Sequence, residues 1–190
     1  MRGERTLLYL GDQDLRNLPT DWHALADAME HALRLYDTGE VVQPLKPYLR
    51  YNNPKNRIIA MPVYVGGDID AAGIKWVASF PDNIHRGLPR AHSVIVLNEA
   101  DTGRPAAILN SSLPSIVRTV SVSGLVMRRF LASGGRSGRG IRLGVIGWGP
   151  IGRHHVRMAA AMFGDRIEGI RIYDLRPVNL EDVPAEVRPK

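Results

Sequence analysis

Residues 73–89 read GIKWVASFPDNIHRGLP. In the first eight of them Ile74, Trp76, Ala78 and Phe80 alternate with Lys75, Val77 and Ser79. A period of two predicts a β-strand, here with one wholly apolar face. Lys75 stands mid-strand on the opposite face, and two readings of it are open. On an interior strand a lysine is costly to bury as a cation, so its pKa falls and it becomes suited to proton transfer. On an edge strand the same residue points to water and keeps the edge polar. Val94–Leu97 and Thr119–Leu125 read as segments that pack around this stretch.

Upstream, Thr6–Leu10 predicts a short strand, and Asp12 or Asp14 can cap a one-turn helix ending near Pro19. Thr20 or Asp21 then caps a longer helix, in which Trp22, Leu25, Met29, Leu33 and Tyr36 recur every three or four residues as one apolar stripe. Gly39 stops it. Leu49–Tyr51 and Ile58–Met61 are strand candidates joined by the turn NNPKN, and Gly66, Gly67 and Asp68 make a further turn. Downstream, HSVIVLN (92–98) and PAAILN (105–110) flank a hairpin-like turn containing Gly103. Residues 41–110 are thus expected to form a meandering, mostly antiparallel sheet packed on the first long helix. Val117, Leu125, Val126 and Phe130 predict a second long helix that begins near Pro114, with Ser112 as its cap. Its small residues Ser121, Ser123 and Gly124 suit close packing or approach to a ligand.

Ser133–Gly140, SGGRSGRG, is flexible by composition and marks a boundary. The expected organisation is a lobe over residues 1–132, a linker over 133–140 and a second lobe over 141–190. The second lobe opens with a short apolar strand, Ile141–Ile146. Gly147–Trp148–Gly149–Pro150–Ile151–Gly152 then fits G-x-G-x-x-G and runs into a helix that ends at Gly164, followed by a strand over Gly169–Tyr173. In a dinucleotide fold the first glycine makes the tight turn, the second admits the pyrophosphate, and the third allows helix–strand contact. The helix N-terminus supplies N–H donors. Asp174 follows at the distance where an acid holds the adenosine ribose hydroxyls. A carboxylate there repels a 2′-phosphate and favours NAD, while Arg176 leaves NADP as a lesser option.

Composition excludes several classes of function. With no cysteine, there is no disulfide, thiol catalysis or cysteine-bound metal. His23 and His31 are eight apart on a helix and His154 and His155 are adjacent, neither a metal-ligand spacing; no metal is expected. No apolar run reaches the length of a membrane span, and the N-terminus lacks signal-peptide features, so the cytoplasm is the expected compartment. The net charge of +6 is carried by singly scattered residues apart from Arg128–Arg129 and Arg136/Arg139, with only 6% aromatics. That pattern suits a small anionic substrate better than nucleic acid.

The run GIKWVASFPDNIHRGLPRAHSVIVLNEADTGRPAAILNSSLPSIVRT, followed by GVIGWGPIG, resembles the ornithine cyclodeaminase/mu-crystallin family, in order and over essentially all 190 residues. QPLKPYLRY, NRIIAMP and GIKWVASFPDN are most similar to the branch that oxidises N-(2-amino-2-carboxyethyl)-L-glutamate. The resemblance implies an α/β protein: a mixed α+β substrate and dimerisation lobe followed by a Rossmann lobe that binds NAD. Lys75 matches the family's active-site lysine. Arg118, with Thr119, matches the substrate-binding arginine–threonine pair, and Arg50 matches an upstream arginine that clamps carboxylate. The cofactor residues are then Gly147, Trp148, Gly149, Pro150, Ile151, Gly152, Asp174 and Arg176. The implied reaction oxidises the α-carbon that bears a secondary amine to an imine. Water then adds, and collapse gives 2-oxoglutarate and 2,3-diaminopropionate, a siderophore and antibiotic precursor. The implied assembly is a homodimer. Ornithine cyclisation and mu-crystallin-like ligand binding without turnover are the alternatives within the family. One departure stands out: residues 141–190 hold a single βαβ unit where a Rossmann lobe has two halves. The lobe is expected to be truncated, as a fragment or as a natural short form.

Overall fold

The computed structural model describes residues 6–134, 140–179, 181 and 183–185. In chain order the elements are β1 (Leu8–Gly11), α1 (Asp12–Arg16), α2 (Trp22–Asp37), β2 (Val41–Val42), β3 (Tyr48–Leu49), β4 (Arg57–Val65) and β5 (Ala71–Ser79). A 3-10 turn (Pro81–Arg86) leads into β6 (Ala91–Glu99), β7 (Pro105–Asn110), α3 (Leu113–Ala132), β8 (Ile141–Ile146), α4 (Pro150–Phe163) and β9 (Ile167–Tyr173). They fall into two compact units. One comprises the chain up to Pro19 with Ala32–Pro114, the other Thr20–His31 with the chain from Ser115 onward. This division differs from the 1–132/141–190 boundary read from composition. Residues 115–132 group with the C-terminal unit because Trp22, Val120, Ile141, Met158 and Phe163 share one buried core there. Residues 135–139 of the expected linker lie outside the described residues.

The first unit is a seven-stranded sheet in the order β1-β7-β6-β5-β4-β2, with β3 also pairing β4. β4 to β7 form the expected antiparallel meander. β1 adds to its edge in parallel with β7. Tight turns follow the sequence signals: Asn52 lies at φ 54 in NNPKN, and Gly103 at φ 71 in the β6–β7 hairpin. β5 lies between β4 and β6, and Lys75 is paired with Met61 on one side and Ile95 on the other. The edge-strand reading of Lys75 is therefore wrong; the residue is half-buried on an interior strand. Gly73 opens its run for a steric reason, since a β-carbon there would sit 2.5 Å from the Val96 carbonyl oxygen.

On the apolar face of β5, Ile74 and Ala78 are half-buried and Trp76 is 46% exposed. α2 divides between the units: its buried side chains, Trp22 and Ala26, group with the second, and Ala32–Asp37 with the sheet. The later residues of its apolar stripe, Leu33 and Tyr36, are exposed. The helix ends themselves follow local chemistry. Asp21 Oδ1 accepts the backbone N–H groups of His23 and Ala24 at 2.9 and 3.0 Å, which caps the N-terminus. Gly39, at φ 84, closes a Schellman motif. Its N–H donates to the Tyr36 carbonyl at 3.2 Å, and the Glu40 N–H donates to Leu35 at 2.9 Å.

α3 begins at Leu113, one residue before the expected proline, and passes into the second unit at Ser115. Its N-terminus is served by Ser111 rather than Ser112: Ser111 Oγ accepts the Leu113 N–H at 3.0 Å, while the Ser112 hydroxyl donates to the Ala91 carbonyl. Val126 and Phe130, expected on the packed stripe, are exposed. The buried face is instead Val120, Ser121, Gly124 and Leu125. A β-carbon on Gly124 would meet the Met162 and Met158 sulfurs at 3.0 and 3.1 Å, so α3 and α4 approach closely where the residue is smallest. Arg128 donates to Asp27 (2.6 Å) and Glu30 (3.1 Å), and Arg129 also pairs with Glu30. The basic pair noted in the sequence thus ties α3 to α2. β8 and β9 are parallel, with Ile146 beside Tyr173, and α4 is the crossover between them.

Candidate active and nucleotide-binding sites

β8 delivers the chain to Gly147, whose φ of 94 only glycine adopts without strain. Gly149 is extended and precedes α4, which carries Pro150 in its first turn, where proline is well tolerated. Open space surrounds the place where a β-carbon on Gly149 would project, leaving the backbone approachable. At Gly152 a β-carbon would collide with the Gly147 carbonyl oxygen. The three glycines thus answer three different steric demands, as the motif's spacing predicts. Ile151 is exposed.

Asp174, just past β9, closes the loop from below. Its Oδ2 accepts the Trp148 backbone N–H at 2.6 Å, and its Oδ1 accepts the Arg176 backbone N–H at 2.9 Å. The Trp148 N–H, with that of Arg176, holds the carboxyl below the usual aspartate range. Each oxygen keeps acceptor capacity beyond these bonds, which fits two ribose hydroxyls. The Arg176 side chain is exposed, with Nε 3.6 Å from Oδ1. Because the folded-state pKa lies below the unfolded one, the stabilising contribution is present above about pH 4. It is lost as pH falls through the folded value. Wild type is therefore expected to lose stability in acid more steeply than Asp174→Asn, followed by tryptophan fluorescence across pH 2–6; equal acid profiles would contradict this.

Trp148 was expected among the cofactor-binding residues for its place in the loop. The structure puts its ring in a small core with Val156 and Val183, only 3% exposed. Its backbone, not its indole, serves the loop. Arg153 was missed: its Nε donates to the Trp148 carbonyl at 3.2 Å and its guanidinium lies 5.9 Å from the ring centroid. The available signal was the indole itself, since a tryptophan between two glycines needs cover.

Lys75 and Arg50 belong to the first unit; Arg118, Thr119, the glycine loop and Asp174 belong to the second. Arg50 follows β3 and is exposed. It donates to the Pro54 carbonyl at 3.1 Å and lies over the Tyr48 ring at 5.6 Å. Arg118 is exposed on α3, and the Thr119 hydroxyl donates to the Ser115 carbonyl at 2.8 Å. His154 and His155 bond back to the carbonyls of Pro150 and Ile151, and His155 Nε2 lies 2.9 Å from Ser123 Oγ. Among the described residues no group of three His, Cys, Asp or Glu side chains could hold a metal ion. No described helix is long and apolar enough to cross a membrane.

Known proteins are similar to this chain. The N-((2S)-2-amino-2-carboxyethyl)-L-glutamate dehydrogenase of Staphylococcus aureus is 37% identical over 177 residues, 90% of this chain and 51% of that protein. The alanine dehydrogenase of Archaeoglobus fulgidus is 32% identical over 79% of this chain and 43% of its own length. Among solved structures, the Thermococcus litoralis Δ(1)-pyrroline-2-carboxylate reductase in complex with NADH and L-proline superposes with a TM-score of 0.77 at 25% identity. It covers 90% of this chain and 50% of that one. An archaeal alanine dehydrogenase dimer with bound NAD gives 0.74 at 27% identity, over 90% and 49%. The chain spans about half the length of these relatives. The sequence profile of the ornithine cyclodeaminase/mu-crystallin family matches residues 17–188, and the chain belongs to that family.

Proposed function

We propose that this chain takes part in the NAD-dependent oxidative cleavage of N-(2-amino-2-carboxyethyl)-L-glutamate to 2,3-diaminopropionate and 2-oxoglutarate. The observation that carries this reading is the likeness to the S. aureus dehydrogenase over 90% of the chain, a span long enough to include both the Lys75 strand and the glycine loop. NAD, when bound, supplies the hydride acceptor. The loop geometry supports that cofactor: an approachable Gly149, a helix N-terminus and a half-buried carboxylate at the end of β9.

The chain's own residues divide the remaining work. Lys75 moves protons between water and the substrate nitrogen as the carbon–nitrogen bond breaks, a role that half-burial on an interior strand favours. Arg118 and Arg50 orient the anionic substrate through its carboxylates, and Thr119 keeps hydroxyl acceptor capacity for it. Orientation of this kind can lower a barrier by several kcal/mol. The exposed apolar side chains of one sheet face, among them Tyr9, Val42, Leu49 and Trp76, support a homodimer. The cytoplasm, where NAD and amino acids meet, is the compartment that fits.

Side-by-side NADH formation with N-(2-amino-2-carboxyethyl)-L-glutamate and with ornithine tests the reading. NADH from the first substrate alone is the expected result. Ammonia and proline from ornithine would replace it with the cyclodeaminase reading, and binding without turnover of either would replace it with the ligand-binding one.

A further inference from the structure

We propose that Arg57 is a specificity-determining residue of the substrate site. It binds the substrate carboxylate farthest from Lys75, and so selects amino acids with carboxylates at both ends over those with one. This role rests on the function proposed above and adds to it a residue that sequence reading passed over.

Arg57 opens β4, and its Nε is buried with no hydrogen-bond partner among the described residues. A guanidinium carries five N–H donors and no acceptor. Buried donors in native proteins are nearly always satisfied, and an exception calls for a reason. A bound anion is such a reason, because it supplies the acceptor and the opposite charge together.

Strand register shows what shares this face. Arg57 is paired with Ser79, and Met61 with Lys75. Side chains alternate along a strand, so Arg57, Met61, Lys75 and Ser79 all project from one side. Arg57 is one strand over from Lys75 and four residues farther along, roughly 14 Å between Cα atoms. Ser93, paired with Val77, projects from the same side in the row midway between them. It is only 5% exposed, and its hydroxyl has no partner among the described residues. Val77, Ser79, Ile59 and Ala91 fill in around these three polar groups, so the surroundings are small or apolar.

On these strands the same face carries one carboxylate, Glu99. It is opposite Ala71 at the other end of the sheet and is held by Arg104. Asp82, just beyond β5, accepts a hydrogen bond from Asn53 at 3.3 Å. Arg50 already serves the Pro54 carbonyl and the Tyr48 ring. The face thus carries Arg57 on β4, Lys75 on β5 and the Ser93 hydroxyl on β6 as a triangle, with no carboxylate of these strands in the rows between them. A substrate whose reacting nitrogen lies at Lys75 meets the unanswered Arg57 donor only if it carries a carboxylate at its far end.

Calorimetric titration of the full chain with 2-oxoglutarate, with N-(2-amino-2-carboxyethyl)-L-glutamate and with ornithine tests this. Arg57→Gln is expected to weaken the first two about ten- to hundredfold. Ornithine binding should stay within about twofold, and the unfolding temperature should not fall, since Arg57 Nε has no hydrogen-bond partner among the described residues to lose. Arg57→Lys should recover part of the affinity. Unchanged 2-oxoglutarate affinity in Arg57→Gln would overturn the proposal. So would a wild type that does not bind 2-oxoglutarate, or an equal loss for all three ligands with a lower unfolding temperature. If wild type forms no NADH but Arg57→Gln still loses 2-oxoglutarate selectively, the catalytic reading fails while the anion site stands.

Discussion

Replacing Lys75 by alanine is expected to lower turnover of N-(2-amino-2-carboxyethyl)-L-glutamate by about 10²–10⁴-fold, the range that removal of a positioned proton-transfer group produces. The fold should survive. Lys75 is half-buried rather than enclosed, and alanine keeps the strand between Met61 and Ile95. Lys75→Arg should fail almost as badly, because a guanidinium keeps its charge and cannot cycle a proton. That variant separates loss of positive charge from loss of proton transfer. Steady-state NADH formation beside thermal unfolding measures both consequences. Activity in Lys75→Arg comparable to wild type would reassign Lys75 to a purely electrostatic role.

The second large effect is expected at Gly152. Its β-carbon would fall inside the van der Waals shell of the Gly147 carbonyl oxygen, which is backbone and cannot rotate away. Gly152→Ala must push α4 off the loop or open the loop at Gly147. Overpacking of this kind costs about 1–3 kcal/mol, and the same shift moves the N–H donors away from the pyrophosphate. NAD affinity should drop at least about tenfold, and the second unit should melt earlier. Gly149→Ala provides the contrast. Its φ is −77 and its β-carbon would meet nothing, so stability should hold while NAD affinity alone declines. Calorimetric titration with NAD, run beside thermal unfolding, distinguishes the two; equal behaviour of both variants would contradict the steric assignment.

Much of the fold was legible because its signals are local. The alternation in GIKWVASF, the glycines at 39 and 103, the Asp21 cap and the strand–loop–helix around Gly147 each depend on a few neighbouring residues. What failed were statements about partners. The stripe on α2 correctly marked a helix, but periodicity does not say which surface receives each turn. Trp22 went to a core with Phe163 and Met158, and Leu33 and Tyr36 were left exposed. The same limit exchanged Ser112 for Ser111 at the head of α3, because two adjacent serines look alike until the Ala91 carbonyl takes one of them. At the candidate sites, the glycine loop and Asp174 follow from spacing alone. Lys75 needed the sheet order before its edge-strand reading could be dropped. Arg57 carried no motif at all. It emerges only from register and from an unanswered donor, both of which depend on residues far away in sequence.

Hydride transfer from the substrate is tested by following the hydrogen itself. With substrate deuterated at the α-carbon of its glutamate portion, deuterium is expected in the NADH formed, in equal amount to the 2-oxoglutarate released. Unlabelled NADH from that substrate, or ammonia released without labelled NADH, would contradict this.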